Sequence, residues 1–232
     1  MAGIAFTADS SDERSVSARF RARRNVFLRN FIAEVRAGKP GPFRILDIGG
    51  RPDYWNKVGR EFLDRQDLQI TCVNLTESEL AGDSPERVEL AVGDACALPY
   101  PDNEFDLVHS NSVIEHVGRF SDMVAFARET RRVAPAYYVQ TPYFWFPIDP
   151  HFYRLPAMHW MPVSMQVALL KRFKIGHSAP ASDLAGTMNK IESRAILDAE
   201  QFRYLFPDAE HSFERVLGWP KSMIATRRRP VA

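Results

Sequence analysis

Five short apolar runs, at 45–48, 70–75, 88–92, 105–108 and 137–140, recur along the chain, and the intervening stretches at 55–64 and 120–133 have helical spacing. This alternation constrains the fold more than any other feature. Short strands alternating with helices predict a parallel sheet covered on both faces. In 120–133, Met123, Val124 and Phe126 supply an apolar face, and Ser121 stands where a cap is expected. A further helix is predicted over 13–37, with Phe20, Val26, Phe27, Phe31, Ile32 and Val35 near helical spacing, and the Gly/Pro run at 38–42 stops it.

The alternation breaks at Thr141. From Pro142 to Pro162 the chain is dense in aromatics and prolines, so it can form neither a long regular element nor a solvated linker, and it is expected to pack as a lid. A helix at 163–173, a polar stretch to 189, a helix at 198–206 and a hairpin of strands 211–217 and 221–226 around Gly218 complete the reading. The expected organisation is a tail and helix over 1–40, then one domain over 41–232 with an inserted lid at about 142–190.

A formal net charge of +1 gives no global drive toward nucleic acid or anionic membranes. The arginines that do cluster, Arg14, Arg19, Arg21, Arg23, Arg24 and Arg29 near the start and Arg227, Arg228 and Arg229 near the end, read as a solvated helix face and a tail. Two cysteines, Cys72 and Cys96, cannot build a disulfide framework and read as reduced packing residues. With no apolar signal core at the start and no run long enough to span a bilayer, a soluble cytoplasmic protein is expected, with no transmembrane segment.

The chemistry-bearing residues sit where strands end. Arg44 to Gly50 (RILDIGG) is an apolar strand closing on an acid and two glycines, which lets the main chain approach a ligand closely. Val73-Asn74-Leu75, Gly93-Asp94-Ala95 and Ser110-Asn111-Ser112 with Glu115-His116 end the later runs. Parallel strands would align all four along one sheet edge, where a nucleoside ligand would meet them.

The segments ILDIGG, VGDACALPYPDNEFDLVHS and NSVIEHV resemble the class I S-adenosylmethionine-dependent methyltransferases, particularly the small bacterial type 11 branch, over about residues 43–142. The resemblance implies a Rossmann-like three-layer αβα sandwich whose seven-stranded sheet is mostly parallel with an antiparallel final strand. It also implies S-adenosyl-L-methionine as cofactor. Asp47, Gly49 and Gly50 would surround its methionine end, Asn74 and Leu75 its ribose, and Asp94 and Ala95 its adenine, with Ser110, Asn111 and Ser112 beneath the sulfonium. The chain departs from the family pattern at Arg51-Pro52, where further glycine is usual, and at Asn74, where an acid is usual.

Methyl transfer from a sulfonium needs chiefly alignment and exclusion of water, but an oxygen nucleophile must also lose its proton. His116 and His151 are the candidates for that role, and Tyr143, Trp145, His151 and His159 the candidates for acceptor binding. The expected reaction is methyl transfer to a small-molecule or glycan- or lipid-linked acceptor, at oxygen. The histidines show no recognised ligand spacing, so no catalytic metal is expected. Nucleic acid is disfavoured as substrate, since Arg154 is the only Lys or Arg between 142 and 162. The lid aromatics would equally serve a hydrophobic cap or a homodimer contact. Two rival readings remain: a non-catalytic binding module on the same fold, and an NAD(P)-dependent oxidoreductase. The second would need spaced glycines and an acid in place of Asn74.

Overall fold

The computed structural model describes residues 16–80, 84, 86–176 and 183–228. The polar start with Arg14, the side chains of Arg19, Phe20 and Arg21, residues 177–182 of the insertion and Arg229 lie outside the described residues. In chain order the elements are α1 (Val16–Arg36), β1 (Phe43–Ile48), α2 (Pro52–Val58), α3 (Arg60–Arg65), β2 (Leu68–Asn74), β3 (Val88–Val92), β4 (Leu107–Asn111), α4 (Phe120–Val133) and β5 (Ala136–Pro142). They continue with α5 (Val163–Arg172), α6 (Leu184–Glu192), α7 (Ala199–Leu205), β6 (Glu210–Val216) and β7 (Trp219–Arg227).

The strands form one seven-stranded sheet in the order β3-β2-β1-β4-β5-β7-β6. The first five are mutually parallel, and β7 runs antiparallel to both β5 and β6. Strand side chains alternate between faces, so adjacent residues enter opposite cores. Leu46 and Tyr137 pack with Phe126 of α4 and Phe202 of α7. Their neighbours Ile45 and Tyr138 pack on the other side with Leu28, Phe31 and Ile32 of α1 and Trp55 of α2. All seven residues of β5 are buried, as a strand covered on both faces requires. The α/β sandwich expected from the alternation is therefore the observed fold.

Several boundaries differ from expectation. The helix predicted over 55–64 is two helices broken at Gly59, whose φ of 113° only glycine adopts readily. Ser121 is not the cap of α4: the helix begins at Phe120, and the Asp122 carboxylate accepts from the Arg119 amide at 2.7 Å. The fourth strand is shifted to start at Leu107 rather than at 105. The polar stretch before 189 contains α6, capped by Asp183, whose side chain accepts from Gly186 N at 2.7 Å. The insertion carries a small core of its own, Phe152, Met158, Leu170 and Ile175. No helix among the described residues is long and apolar enough to cross a membrane.

Arg24 corrects the reading of the N-terminal arginines as a solvated face. Its side chain is only 11% exposed and grips both Glu214 carboxylate oxygens, at 2.9 and 2.5 Å. Arg29 instead lies 5.0 Å from the Phe62 ring centroid. Burial pushes the Glu214 carboxyl upward, but hydrogen bonds from Arg24 and Ser222 outweigh it, so Glu214 ionises below its ordinary range. A depressed carboxyl contributes stability above its unfolded pKa of about 4.3 and loses it as pH falls through the lower folded value. Glu214→Gln is thus expected to be less stable than wild type at pH 7 and to converge with it at acid pH. Melting temperatures of both proteins between neutral and acid pH test this; a gap independent of pH would contradict it.

Candidate functional site

The chain reverses direction across the sheet between β1 and β4, with β2 and β3 on one side and β5 on the other. Ligands of open α/β sheets sit outside the strand carboxyl ends at such a switch point. Gly49 and Gly50 lie there. Gly49 holds a φ of 69°, and a Cβ on it would stand 2.4 Å from Val113 Cγ2. A Cβ on Gly50 would stand 1.8 Å from Asp47 Oδ2, so the carboxylate is folded directly beneath the turn.

Asp47 is 1% exposed and bonded within the protein. Its Oδ2 accepts from Trp55 Nε1 at 2.8 Å, and its Oδ1 accepts from His109 Nδ1 at 2.6 Å. His109 in turn is stacked between Tyr54 and Tyr138, each ring centroid 5.4 Å away. The acid therefore shapes the glycine turn from below. Trp55 and His109 were not singled out as site residues from sequence: Trp55 opens the predicted helix at 55–64, His109 lies inside the VGDACALPYPDNEFDLVHS segment, and only the fold converges them on Asp47.

The departure at Asn74 has a structural reason. Its Nδ2 donates to the Gly50 carbonyl at 2.7 Å, a bond a carboxylate could not make, and Oδ1 is left as an acceptor for a ligand. Leu75 is exposed at the same edge. Asp94 is exposed after β3, with Oδ1 accepting from Cys96 N at 2.8 Å in a tight turn that holds Ala95 half-buried. Ser110 is buried and donates to Ile48 O at 3.2 Å, tying β4 to β1. Asn111 Oδ1 accepts from Arg24 Nη1 at 2.8 Å, so α1 reaches the strand ends. Ser112 has a φ of 59°, a left-handed conformation held by bonds from its amide and hydroxyl to Gln140.

The structure brings His116 and His151 together. Their Nε2 atoms are 3.0 Å apart, although the residues are 35 positions apart in sequence. His116 Nδ1 donates to Ser193 O at 2.8 Å, and His151 Nδ1 donates to Asp149 Oδ1 at 2.7 Å. Asp149 is also bonded by Arg194 Nε at 3.1 Å. Beside the pair, Glu115 is wholly buried; Thr141 Oγ1 donates to its Oε2 at 3.0 Å, while Oε1 has no partner among the described residues. Burial pushes the Glu115 carboxyl up to about 7 and the His116 imidazole down.

The remaining candidates make contacts of their own. Tyr143 packs edge-on against Phe213 at 5.3 Å, bridging to Leu197. His159 Nε2 and Trp160 Nε1 both donate to the Phe144 carbonyl, at 2.8 and 2.9 Å. Trp145 is 58% exposed and lies 6.2 Å from Trp160, so the segment after β5 presents an aromatic face outward.

Residues 56–135 match the family described as a methyltransferase domain. The chain is 35% identical over 98 residues to the ubiquinone/menaquinone biosynthesis C-methyltransferase UbiE of Paracoccus denitrificans, a similarity covering 38% of this chain and 38% of that enzyme. The chain thus spans well under half the length of the curated relative it matches. Among solved structures, the citrinin polyketide synthase CMeT domain aligns with a TM-score of 0.59 at 11% identity, covering 96% of this chain and 56% of that one. The [4+2]-cyclase SpnF aligns with a TM-score of 0.54 at 20% identity, covering 96% and 86%. The PH0226 protein of Pyrococcus horikoshii aligns at 0.54 and 14% identity, covering 96% of both chains. At these identities the structures share the fold alone, and a fold does not name a reaction. The matched segment covers about one third of the chain and runs from α2 to the start of β5, across the ends of β2, β3 and β4 described above.

Proposed function

We propose that the chain transfers a methyl group from S-adenosyl-L-methionine to a small-molecule or glycan- or lipid-linked acceptor, at oxygen. The observation that carries the reading is the ordered set of strand ends on one sheet edge at the switch point. The residues there fit the cofactor. Gly49 and Gly50 leave backbone without side chains in the way, Asn74 keeps an acceptor oxygen, and Asp94 keeps an exposed carboxylate. When bound, the cofactor supplies an electrophilic methyl group whose leaving group departs neutral. The protein's part is to bind, orient and exclude water. Arg24 and Asn111 fix α1 over the carboxyl end of β4, while the His116–His151 pair supplies the polar groups facing an acceptor under the lid.

Calorimetric titration with S-adenosylmethionine, S-adenosylhomocysteine, NAD and NADP tests the cofactor. Both sulfur nucleosides are expected to bind and the dinucleotides are not. Asp94→Ala is expected to weaken S-adenosylmethionine binding about tenfold to a hundredfold, the worth of a hydrogen bond to a charged group, with the melting temperature nearly unchanged. Unaltered affinity in that variant would mean the adenine lies elsewhere. Binding without turnover on any sugar, lipid-linked or aromatic hydroxyl would favour the binding-module reading.

A further inference from the structure

The pairing of His116 and His151 has a constraint that neither residue shows alone. A carbonyl oxygen can only accept, so His116 Nδ1 carries the proton given to Ser193 O. His151 Nδ1 likewise carries a proton, given to an Asp149 carboxylate already bonded by Arg194. In its neutral form each ring therefore directs an Nε2 lone pair at the other, with the two nitrogens 3.0 Å apart. Two facing lone pairs repel unless a cation lies between them.

A proton would satisfy the two nitrogens and nothing else. The third group decides between the alternatives: Glu115 Oε1 is buried with no partner among the described residues, and a Glu115 carboxylate oxygen lies within 4.8 Å of a ring nitrogen of each histidine. Unpaired buried carboxylate oxygens are rare in folded proteins, and a metal ion would use this one. Two imidazoles and one carboxylate form a set suited to zinc-type ions, with open positions for water or substrate. The second shell is also in place. Asp149 and Ser193 O fix both tautomers with Nε2 outward, and carboxylate or carbonyl partners on the far nitrogen are the usual orienting device of metal-binding histidines. Ligands about 2.0 Å from a tetrahedral ion are roughly 3.3 Å apart, so the histidines need only small movements and Glu115 a larger one. His116 is exposed, which leaves a way in.

We propose that Glu115, His116 and His151 form a binding site for a divalent transition-metal ion of the zinc type. Its role would rest on the methyl-transfer reading. An ion there would bind the acceptor hydroxyl, whose O–H bond breaks with the electron pair kept on the metal-bound oxygen and the proton released to water. The site itself needs no part of that reading.

Chelator-treated full-length protein titrated with Zn2+ by calorimetry, and with Co2+ by visible absorption, tests the proposal. One ion per chain and cobalt bands of a four- or five-coordinate site are expected. His151→Ala and Glu115→Gln are each expected to weaken binding about a hundredfold or more, and Asp149→Asn by about ten- to a hundredfold through His151. No Zn2+ binding by folded wild-type protein, or equal affinity in a folded His151→Ala variant, would overturn the site and leave a shared proton between the rings. If the variants fail to fold, the wild-type cobalt spectrum still decides, since an octahedral aquo-type spectrum would exclude imidazole ligation. S-adenosylmethionine titrated into the same metal-free sample separates the two readings: nucleoside binding without metal binding sinks the site alone, and metal binding without nucleoside binding sinks the methyltransferase reading alone.

Discussion

Replacing Asp47 by alanine is expected to lower the unfolding free energy by about 2–5 kcal/mol, the cost of leaving two buried donors unsatisfied. The carboxylate is 1% exposed and bonds both His109 Nδ1 and Trp55 Nε1. Alanine would leave both donors buried without an acceptor, in a layer where His109 is held between two tyrosine rings. Gly50→Ala should act on the same point from above, since its Cβ would fall 1.8 Å from Asp47 Oδ2 and must drive the carboxylate off its partners. Because the two substitutions damage one network, the double variant should be much less destabilised than the sum of the singles. Denaturant unfolding of the three variants measures this. A loss below about 1 kcal/mol for Asp47→Ala would show that the donors find other partners and that Asp47 does not support the turn.

The second large effect is expected at Gly176, after α5. Gly176 has a φ of 94°, and a Cβ there would stand 2.0 Å from the carbonyl oxygen of His151, a backbone atom without freedom to swing aside. Backbone strain and forced displacement together should destabilise Gly176→Ala by about 3 kcal/mol. The displacement is also directional, because it pushes on the segment that places His151 against His116. A folded Gly176→Ala protein should therefore lose zinc affinity while keeping S-adenosylmethionine affinity. Wild-type stability in this variant would mean that the segment around His151 shifts freely, against the close packing of Phe152, Met158, Leu170 and Ile175.

These sites differ in how much of them sequence reveals. The strand ends were legible because each lies in a local pattern: an apolar run supplies the strand, and the glycine, amide or acid after it marks where the strand stops. Helices α4, α5 and α7 were legible from apolar spacing alone. Boundaries decided by single side chains were not, as at Gly59, where one backbone conformation splits a helix, and at Asp122, whose carboxylate rather than Ser121 holds the helix start. The α6 helix was missed although Leu184, Met188 and Ile191 recur at helical spacing, because Gly186, Thr187 and Asn189 between them read as loop residues.

Composition and periodicity by themselves determined the layered α/β architecture, since strands with a two-residue alternation and helices with a 3.6-residue one can bury their apolar faces together in few ways. They also determined that the acid, amide and glycine positions lie on one sheet edge, because parallel strands end on the same side. Only the tertiary structure decided what those residues touch. Asp47 faces inward to His109 and Trp55, Arg24 crosses from α1 to Glu214 190 positions later, and Glu115, His116 and His151 converge from segments before and after β5. Such contacts depend on distance and orientation between segments remote in the chain, and local periodicity carries no information about either.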